Sequence, residues 1–243
     1  MNPEEYDRLA EVERKHWFYR GKREIVRHWI SKLGNIAKDS LLVDAGAGTG
    51  FFAYEMSAQC RVLAIDDHEE ALGIARKRLG PEQVRSGPCH ALPVADGTAA
   101  IVTALDVLEH LEADRPAVAE FARILQPGGL LVITVPAMPV LWSDWDVALH
   151  HYRRYNKTSL RAALERDDLE LLHLEFANVL VMPLIWLVRK WRAWFGSTDH
   201  RLEDSIPPEP LNTFLRWSYV GLACQTWVSF PFGVSLVAVA RRR

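Results

Sequence analysis

Three groups of residues have types and spacings suited to chemistry. The first is Asp44-Ala45-Gly46-Ala47-Gly48-Thr49-Gly50, followed by Phe51-Phe52-Ala53 at the start of a helical pattern. Glycines are required where a ligand lies against the backbone, because a Cβ would hold it away. Asp66 closes the next apolar run, where a carboxylate can accept both hydroxyls of a ribose. The pair points to nucleotide binding, and the loop alone leaves two chemistries open. Read from Gly48, G-T-G-F-F-A also satisfies G-x-G-x-x-A, the pattern of a nicotinamide or flavin site and hence of an oxidoreductase. Asp44 argues for the other chemistry. A carboxylate beside the turn suits a cationic, zwitterionic ligand better than a pyrophosphate, which prefers bare N–H groups. A dehydrogenase of this length would also have little chain left for a substrate domain. A ligandless turn, with Asp44 as a structural carboxylate, is the plainer alternative.

The second group lies in LWSDWDVALHHYRRYNKTSL (141–160), after a strand-like run. His151, with an unperturbed pKa near ~6.5, can take a proton from a hydroxyl or amine. Arg153 and Arg154 can hold a carboxylate or phosphate bidentately, and Trp142 joins them as a substrate-side aromatic. Tyr155 is a further catalytic candidate. The plainer alternative is a salt bridge from Asp146 to an arginine that orders the loop, with Tyr155 as its cap and His151 in a structural hydrogen bond. The third group is Asp106-Val107-Leu108-Glu109-His110, where His110 is a second acid/base candidate or shapes the wall of the site. His150, His151, Glu109 and His110 are metal-ligating types, but neither Glu109-His110 nor His150-His151 has the i, i+4 spacing of a zinc helix, so no metal is expected.

These groups sit on a regular scaffold. Short apolar runs at 41–47, 61–67, 99–107 and 130–136 alternate with amphipathic segments such as EEALGIARKRL (69–79) and AVAEFARIL (117–125). In the latter Asp114 is expected as the N-cap, with Pro116 in the first turn. Alternation of this kind, with near-continuous apolar strands, means a parallel sheet covered on both faces. A shorter strand is expected near 84–88. Two later strand-like runs, 169–177 and 232–243, suggest an antiparallel edge hairpin carrying a helical insertion. The 243 residues suffice for one large α/β domain. The formal charge of −2 and pI of about 6.5 provide no basic field for nucleic acid. Cys60, Cys89 and Cys224 are an odd number without CxxC spacing, which fits a reducing cytoplasm. The acidic first residues have no apolar stretch of the secretory kind, and no apolar run is long enough to span a bilayer.

VDAGAGTG, AIDD, ALPVADGTAAIVTALDVLEHL and RILQPGGLLVITVP, taken together, resemble the successive motifs of class I S-adenosylmethionine-dependent methyltransferases, of the broad ubiquinone-biosynthesis-like group (methyltransferase type 11/12-like). The likeness runs from about residue 40 to 155. It implies a Rossmann-like, doubly wound, mostly parallel seven-stranded sheet with an antiparallel last strand, and a helical insertion between the last two strands. It also implies S-adenosylmethionine as cofactor and S-adenosylhomocysteine as product. In that family the glycine loop receives the methionine moiety, here Asp44, Ala45, Gly46 and Gly48. The acid after strand two holds the ribose, here Asp66 with Asp67 beside it. The aspartate after strand four, here Asp106 next to Val107, faces the methionine amino group or the sulfonium. One departure stands out. Where many members have Gly-Asp-Ala, with the Asp reading the adenine amine, this chain has Gly87-Pro88-Cys89. Proline supplies neither carboxylate nor N–H, so adenine recognition falls to backbone groups of Cys89 or His90. The 141–160 block resembles L-W-S-x-x-D-x-x-x-x-H-x-R-R-Y of a bacterial subgroup. HWFYRGKRE (16–24) resembles that subgroup's first helix, so Trp17, Tyr19, Arg20 or Arg23 is expected to cover the methionine carboxylate, with plain helix packing as the alternative.

Of nine tryptophans, five (Trp186, Trp191, Trp194, Trp217, Trp227) fall in the last quarter. In VLVMPLIWLVRKWRAWF (179–195), Leu184, Leu187, Val188, Trp191, Trp194 and Phe195 recur near helical spacing beside Arg189, Lys190 and Arg192, with Pro183 breaking or starting the helix. The segment reads as packing on the sheet, a lid, a dimer face, or an interfacial helix in peripheral membrane contact. The expected organisation is a helical cap at 1–35, the cofactor-binding domain at 36–178 and 231–243, and a Trp-rich insertion at 179–230. Asp106-Val107-Leu108-Glu109 is not the Asn/Asp-Pro-Pro-aromatic block of nucleobase methylases. The expected acceptor is therefore an oxygen or nitrogen of a small or amphiphilic metabolite, with no nucleic acid, handled by a monomer or homodimer. A catalytically silent binding protein of the same fold is the alternative.

Overall fold

The computed structural model describes residues 10–195 and 205–243. Its strands are β1 (Leu41–Ala45), β2 (Arg61–Asp66), β3 (Val84–Ser86), β4 (Ala99–Leu105), β5 (Leu125–Pro136), β6 (Leu169–Ala177) and β7 (Ser235–Arg242). Its helices are α1 (Trp17–Leu33), α2 (Phe51–Met56), α3 (Glu69–Leu79), α4 (Asp114–Ile124), α5 (Asp144–Ala148), α6 (Lys157–Leu164), α7 (Met182–Phe195) and α8 (Glu209–Cys224). Residues 10–15 are also helical, while the acidic residues 1–9 lie outside the described chain.

The strands form one seven-stranded sheet in the order β3-β2-β1-β4-β5-β7-β6. The first five pair in parallel, and β7 alone runs against both of its neighbours. This is the Rossmann-like, mostly parallel sheet that the alternating runs imply. The strands read as continuously apolar because consecutive residues enter opposite cores. Leu42, Val132 and Val239 meet α1, α2, α3 and α8, whereas Val43, Leu131, Ile133 and Ala238 meet α4 and α6.

The N-terminal helix is part of this core. Ile25, Val26, Trp29 and Ile30 are buried, and Trp29 stacks on His173 of β6 at 3.7 Å. Helix α8 locks α1 in place: Asn212 accepts from the Trp17 N–H at 2.8 Å and donates to the Lys15 carbonyl at 3.0 Å. A Cβ at Gly21 would come within 2.6 Å of the Tyr219 ring, so close helix contact is the reason for a glycine at mid-helix despite its entropic cost.

Two local expectations need correction. Asp114 is the first residue of α4 and Ala113 is the N-cap, because the Asp114 carboxylate is engaged elsewhere, accepting the Tyr155 hydroxyl at 2.8 Å. In the insertion, α8 packs on the molecule but α7 does not bury its apolar stripe: Leu184, Leu187 and Trp191 are 63%, 59% and 58% exposed. Pro183 stands in the first turn of α7, where a missing N–H is tolerated. The side chains of Lys190, Arg192, Trp194 and Phe195 lie outside the described residues. No helix among the described residues is long and apolar enough to cross a membrane.

Candidate active site

The chain reverses direction across the sheet between β1 and β4, which opens a crevice at the carboxyl ends of the strands. The glycine loop lies there. Gly46, Gly48 and Gly50 have φ of +68°, +54° and +72°, conformations that glycine adopts without steric cost. The three serve different ends. A Cβ at Gly46 would meet Val107 at 2.6 Å and one at Gly50 would meet Ala75 at 2.9 Å, but one at Gly48 would meet nothing within 4 Å. Gly46 and Gly50 allow close packing, and Gly48 faces the open crevice.

The loop's N–H groups are already engaged. Gly46 and Ala47 donate to the Ile65 carbonyl at 2.8 and 3.0 Å, and Gly48 donates to the Asp66 carboxylate at 2.8 Å. A pyrophosphate needs such groups free. Carboxylates dominate instead, and these residues fit a cationic, zwitterionic nucleoside. Asp44 is buried under the loop and accepts the Thr103 hydroxyl at 2.6 Å. Burial, reinforced by nearby Asp66, pushes its carboxyl up to about 7. Asp67 is exposed beside Asp66, and His68 lies 2.7 Å from it. Cys89 reaches the same corner: burial first, then Asp66, Asp67 and Asp44, push its thiol up to about 12. Its neighbour His90 is exposed, and the Gly87 N–H donates to the Asp66 carbonyl at 3.0 Å.

Asp106 directly follows β4 with φ +56°. Its N–H donates to the Thr134 carbonyl at 2.9 Å, and its carboxylate accepts the Thr134 hydroxyl at 2.8 Å and pairs with the Lys22 ammonium. Burial would raise this carboxyl, but Lys22 and Thr134 outweigh it and hold it below the usual range. Lys22 is the residue that sequence reasoning missed. Its signal was a lysine in line with Ile25, Val26 and Trp29 on the apolar face of α1. The expected α1 residues are placed otherwise. Arg23 is buried, donating to Glu55 at 3.1 Å and to the Glu13 carbonyl at 2.9 Å, with its guanidinium over Phe51. Trp17 packs edge-on against Tyr219, and Arg20 is partly exposed.

On the acceptor side, Ser143 and Asp146 form a capping box at the start of α5, which fixes the buried Asp146. That carboxylate accepts from Arg154 Nε at 2.7 Å and lies 3.0 Å from His151 Nδ1. Burial works against its ionisation, yet the hydrogen bonds from His151 and Arg154 hold it at about 2. Three of the expected residues are engaged within the protein, and the plainer alternative, a salt bridge from Asp146 that orders the loop, falls to Arg154. Arg154, also bonded to the Ala137 carbonyl at 3.2 Å, is buried and orders the loop. Arg153 donates to the carbonyls of Leu111 and Glu112 and lies 3.6 Å from Asp114. Tyr155 is buried, with its hydroxyl between the Leu108 carbonyl and Asp114; burial and that carboxylate raise its pKa far above the phenol range. Trp142 is exposed.

The Tyr152 N–H donates to the Glu109 carbonyl at 2.7 Å, drawing this loop onto the turn after β4. His151 thereby meets His110 edge to face at 4.6 Å. Glu109 is fully buried, and burial and Asp106 push its carboxyl well above the ordinary range. Glu109, His110 and His151 come together, whereas His150, with φ +58°, is turned out to solvent.

Comparison with known proteins gives this geometry a family setting. Residues 43–133 match the methyltransferase domain family. A protein named a probable S-adenosylmethionine-dependent methyltransferase in Mycolicibacterium smegmatis is 28% identical over 163 residues, covering 66% of this chain and 62% of that protein. An uncharacterized 37.1 kDa protein of a Streptomyces fradiae transposon is 30% identical over 166 residues, covering 64% of this chain and 48% of that protein. The match thus spans about half to three-fifths of these relatives' lengths. Among solved structures, an S-adenosylmethionine-dependent methyltransferase of Thermotoga maritima aligns over 98% of this chain and 94% of its own, with TM-score 0.64 and 17% identity. A geranyl diphosphate C-methyltransferase of Streptomyces coelicolor, solved with Mg2+, a geranyl thiolodiphosphate and S-adenosylhomocysteine, aligns over 90% of this chain and 75% of its own with TM-score 0.60 and 16% identity. The carboxylate-lined glycine loop, the engaged loop amides and these relatives agree: the chain carries a class I S-adenosylmethionine-dependent methyltransferase domain, with S-adenosylmethionine as its cofactor.

Proposed function

We propose that the protein moves a methyl group from S-adenosylmethionine to a nucleophilic oxygen or nitrogen of a small or amphiphilic metabolite. One observation carries the reading: three acidic residues, Asp44 next to last in β1, Asp66 last in β2 and Asp106 just after β4, stand at the carboxyl ends of neighbouring strands beside the glycine loop, and Asp66 bonds Gly48 directly. In this reading Gly48 leaves room for the methionine moiety, with Ala45 and Gly46 shaping the turn. Asp66 and Asp67 take the ribose, Asp106 and Val107 border the methionine amino group and sulfonium, and Cys89 and His90 border the adenine. The cofactor supplies a methyl already activated on a sulfonium, so the protein has to align the acceptor and receive its proton. His151 suits the second task, because ionised Asp146 behind Nδ1 leaves Nε2 as the proton acceptor. His110 walls the same space, and Trp142 offers an exposed aromatic face.

The exposed apolar side of α7 favours an amphiphilic acceptor. Arg189 of that helix donates to the Leu141 carbonyl, which ties the apolar face to the acceptor loop. Such a metabolite can arrive from solution or from a membrane surface. Carbon methylation is the second reading, supported by the fold it shares with the geranyl diphosphate C-methyltransferase.

The test is isothermal titration with S-adenosylmethionine and S-adenosylhomocysteine on wild-type protein and Asp66→Ala, followed by an acceptor screen with labelled methyl donor. Micromolar binding lost in Asp66→Ala supports the assignment. Absence of binding to either nucleoside refutes it, and binding without transfer to any acceptor class favours a silent binding protein.

A further inference from the structure

Glu109 is 0% exposed, and neither Oε1 nor Oε2 has a hydrogen-bond partner among the described residues. Leaving a buried polar atom unsatisfied is costly, and two such oxygens on one carboxyl call for a partner such as an ion or water. The surroundings indicate what that is. Ligating atoms of Glu109, His110 and His151 all lie within 4.8 Å of one another. His151 is prepared as a ligand, since Asp146, 3.0 Å from Nδ1, accepts that proton and leaves the Nε2 lone pair free. A carboxylate behind the imidazole is the usual outer support of a metal-bound histidine. Arg154, donating to Asp146 at 2.7 Å, fixes that support in turn.

We infer that Glu109, His110 and His151 form a binding site for a divalent transition-metal ion. One carboxylate and two imidazoles favour Zn2+, Co2+, Mn2+ or Fe2+ over the harder Mg2+ and Ca2+, which prefer all-oxygen sites. Three protein donors leave coordination positions open, and an oxygen of a small molecule is the ligand class that would fill them. The i, i+4 rule misses this site because the third donor comes from the loop after β5, brought over by the Tyr152–Glu109 backbone hydrogen bond. The inference rests on the donor set and holds whichever acceptor is methylated; with the cation bound, His151 Nε2 is a ligand and the acceptor's proton passes to solvent instead of to His151.

The experiment uses the full chain freed of metal by chelation, without S-adenosylmethionine, so its outcome is separate from the cofactor test. Co2+ is titrated by visible absorption and Zn2+ by calorimetry. One equivalent is expected to bind at micromolar or lower concentration. Glu109→Gln, His110→Ala and His151→Ala should each weaken binding at least about 10-fold, and Asp146→Asn by about 10- to 100-fold. His150→Ala should leave binding unchanged. Where Glu109→Gln fails to fold by circular dichroism, the more exposed His110 supplies the deciding variant. No binding, or binding unchanged in folded His110→Ala and His151→Ala, overturns the site. Binding lost only in Asp67→Ala would assign the ion to Asp66, Asp67 and His68, the other cluster of suitable groups, and also overturns it.

Discussion

The Lys22 ammonium on α1 pairs with the Asp106 carboxylate at the end of β4, joining the N-terminal helix to the centre of the cofactor crevice. The lysine side chain is almost wholly buried, so removing it strands a negative charge that burial disfavours. Breaking a buried pair from one side costs about 3–5 kcal/mol. Lys22→Met should therefore lower the unfolding free energy by about 2–4 kcal/mol, the lower figure allowing for the partial exposure of Asp106. Urea denaturation at pH 7 measures it. An effect below about 0.5 kcal/mol would mean the pair is decorative.

Asp44 yields a pH prediction with a definite sign. Its folded pKa of about 7 lies above the unfolded aspartate value, near ~3.9. Between those values the unfolded chain releases a proton that the folded chain keeps, so this group's contribution to stability falls as pH rises to about 7 and levels off beyond. Asp44→Asn, which keeps an acceptor for Thr103, should be more stable than wild type at pH 8. The gain, on the order of 2–4 kcal/mol, should shrink toward pH 5. Thermal unfolding of both proteins across that range checks the trend, and a difference independent of pH would contradict it.

Tyr155 is held between Asp114 and the Leu108 carbonyl under the site. Tyr155→Phe should therefore cost about 1–2 kcal/mol of stability and leave methyl transfer within about 3-fold of wild type. A loss of a hundredfold or more in kcat, with stability intact, would restore Tyr155 as a catalytic residue.

Asp146 anchors both Arg154 and His151. Its depressed pKa of about 2 stabilises the fold above the unfolded aspartate pKa, and that contribution is lost as pH falls toward 2. Asp146→Ala should cost about 3 kcal/mol or more at pH 7, because it leaves Arg154 buried without its carboxylate. The penalty should diminish in acid, where the wild-type carboxyl is itself protonated. Equilibrium unfolding at pH 7 and at pH 3 gives the comparison.

Gly46→Ala joins a strained φ of +68° to a Cβ 2.6 Å from Val107, whereas Gly48→Ala strains the backbone but meets no protein atom. The first should destabilise the fold more than the second. The second should weaken S-adenosylmethionine binding more than its stability loss accounts for. Paired thermal unfolding and calorimetry separate the two effects.

The strands and the glycine loop were legible in the sequence because each is a local matter, and the alternation of strands with helices implied their parallel pairing. Apolar runs of strand length, glycines where φ is positive and Asp66 at a strand end need no knowledge of distant residues. His151 could likewise be singled out by its residue type. Only the tertiary structure decided what each charge does. The residue types allow a salt bridge from Asp146 to either arginine of its loop; the fold gives it to Arg154, while Arg153 meets the Leu111 and Glu112 carbonyls and Arg23 meets Glu55. Lys22 looked like one more basic residue until α1 laid it beside Asp106. Glu109 was one acid among many until folding took both its oxygens out of water beside two imidazoles. Pairing between residues far apart in the chain depends on packing and desolvation, which no local pattern encodes. That is why the cofactor loop could be read from the sequence, while the roles of the acceptor-side charges required the fold.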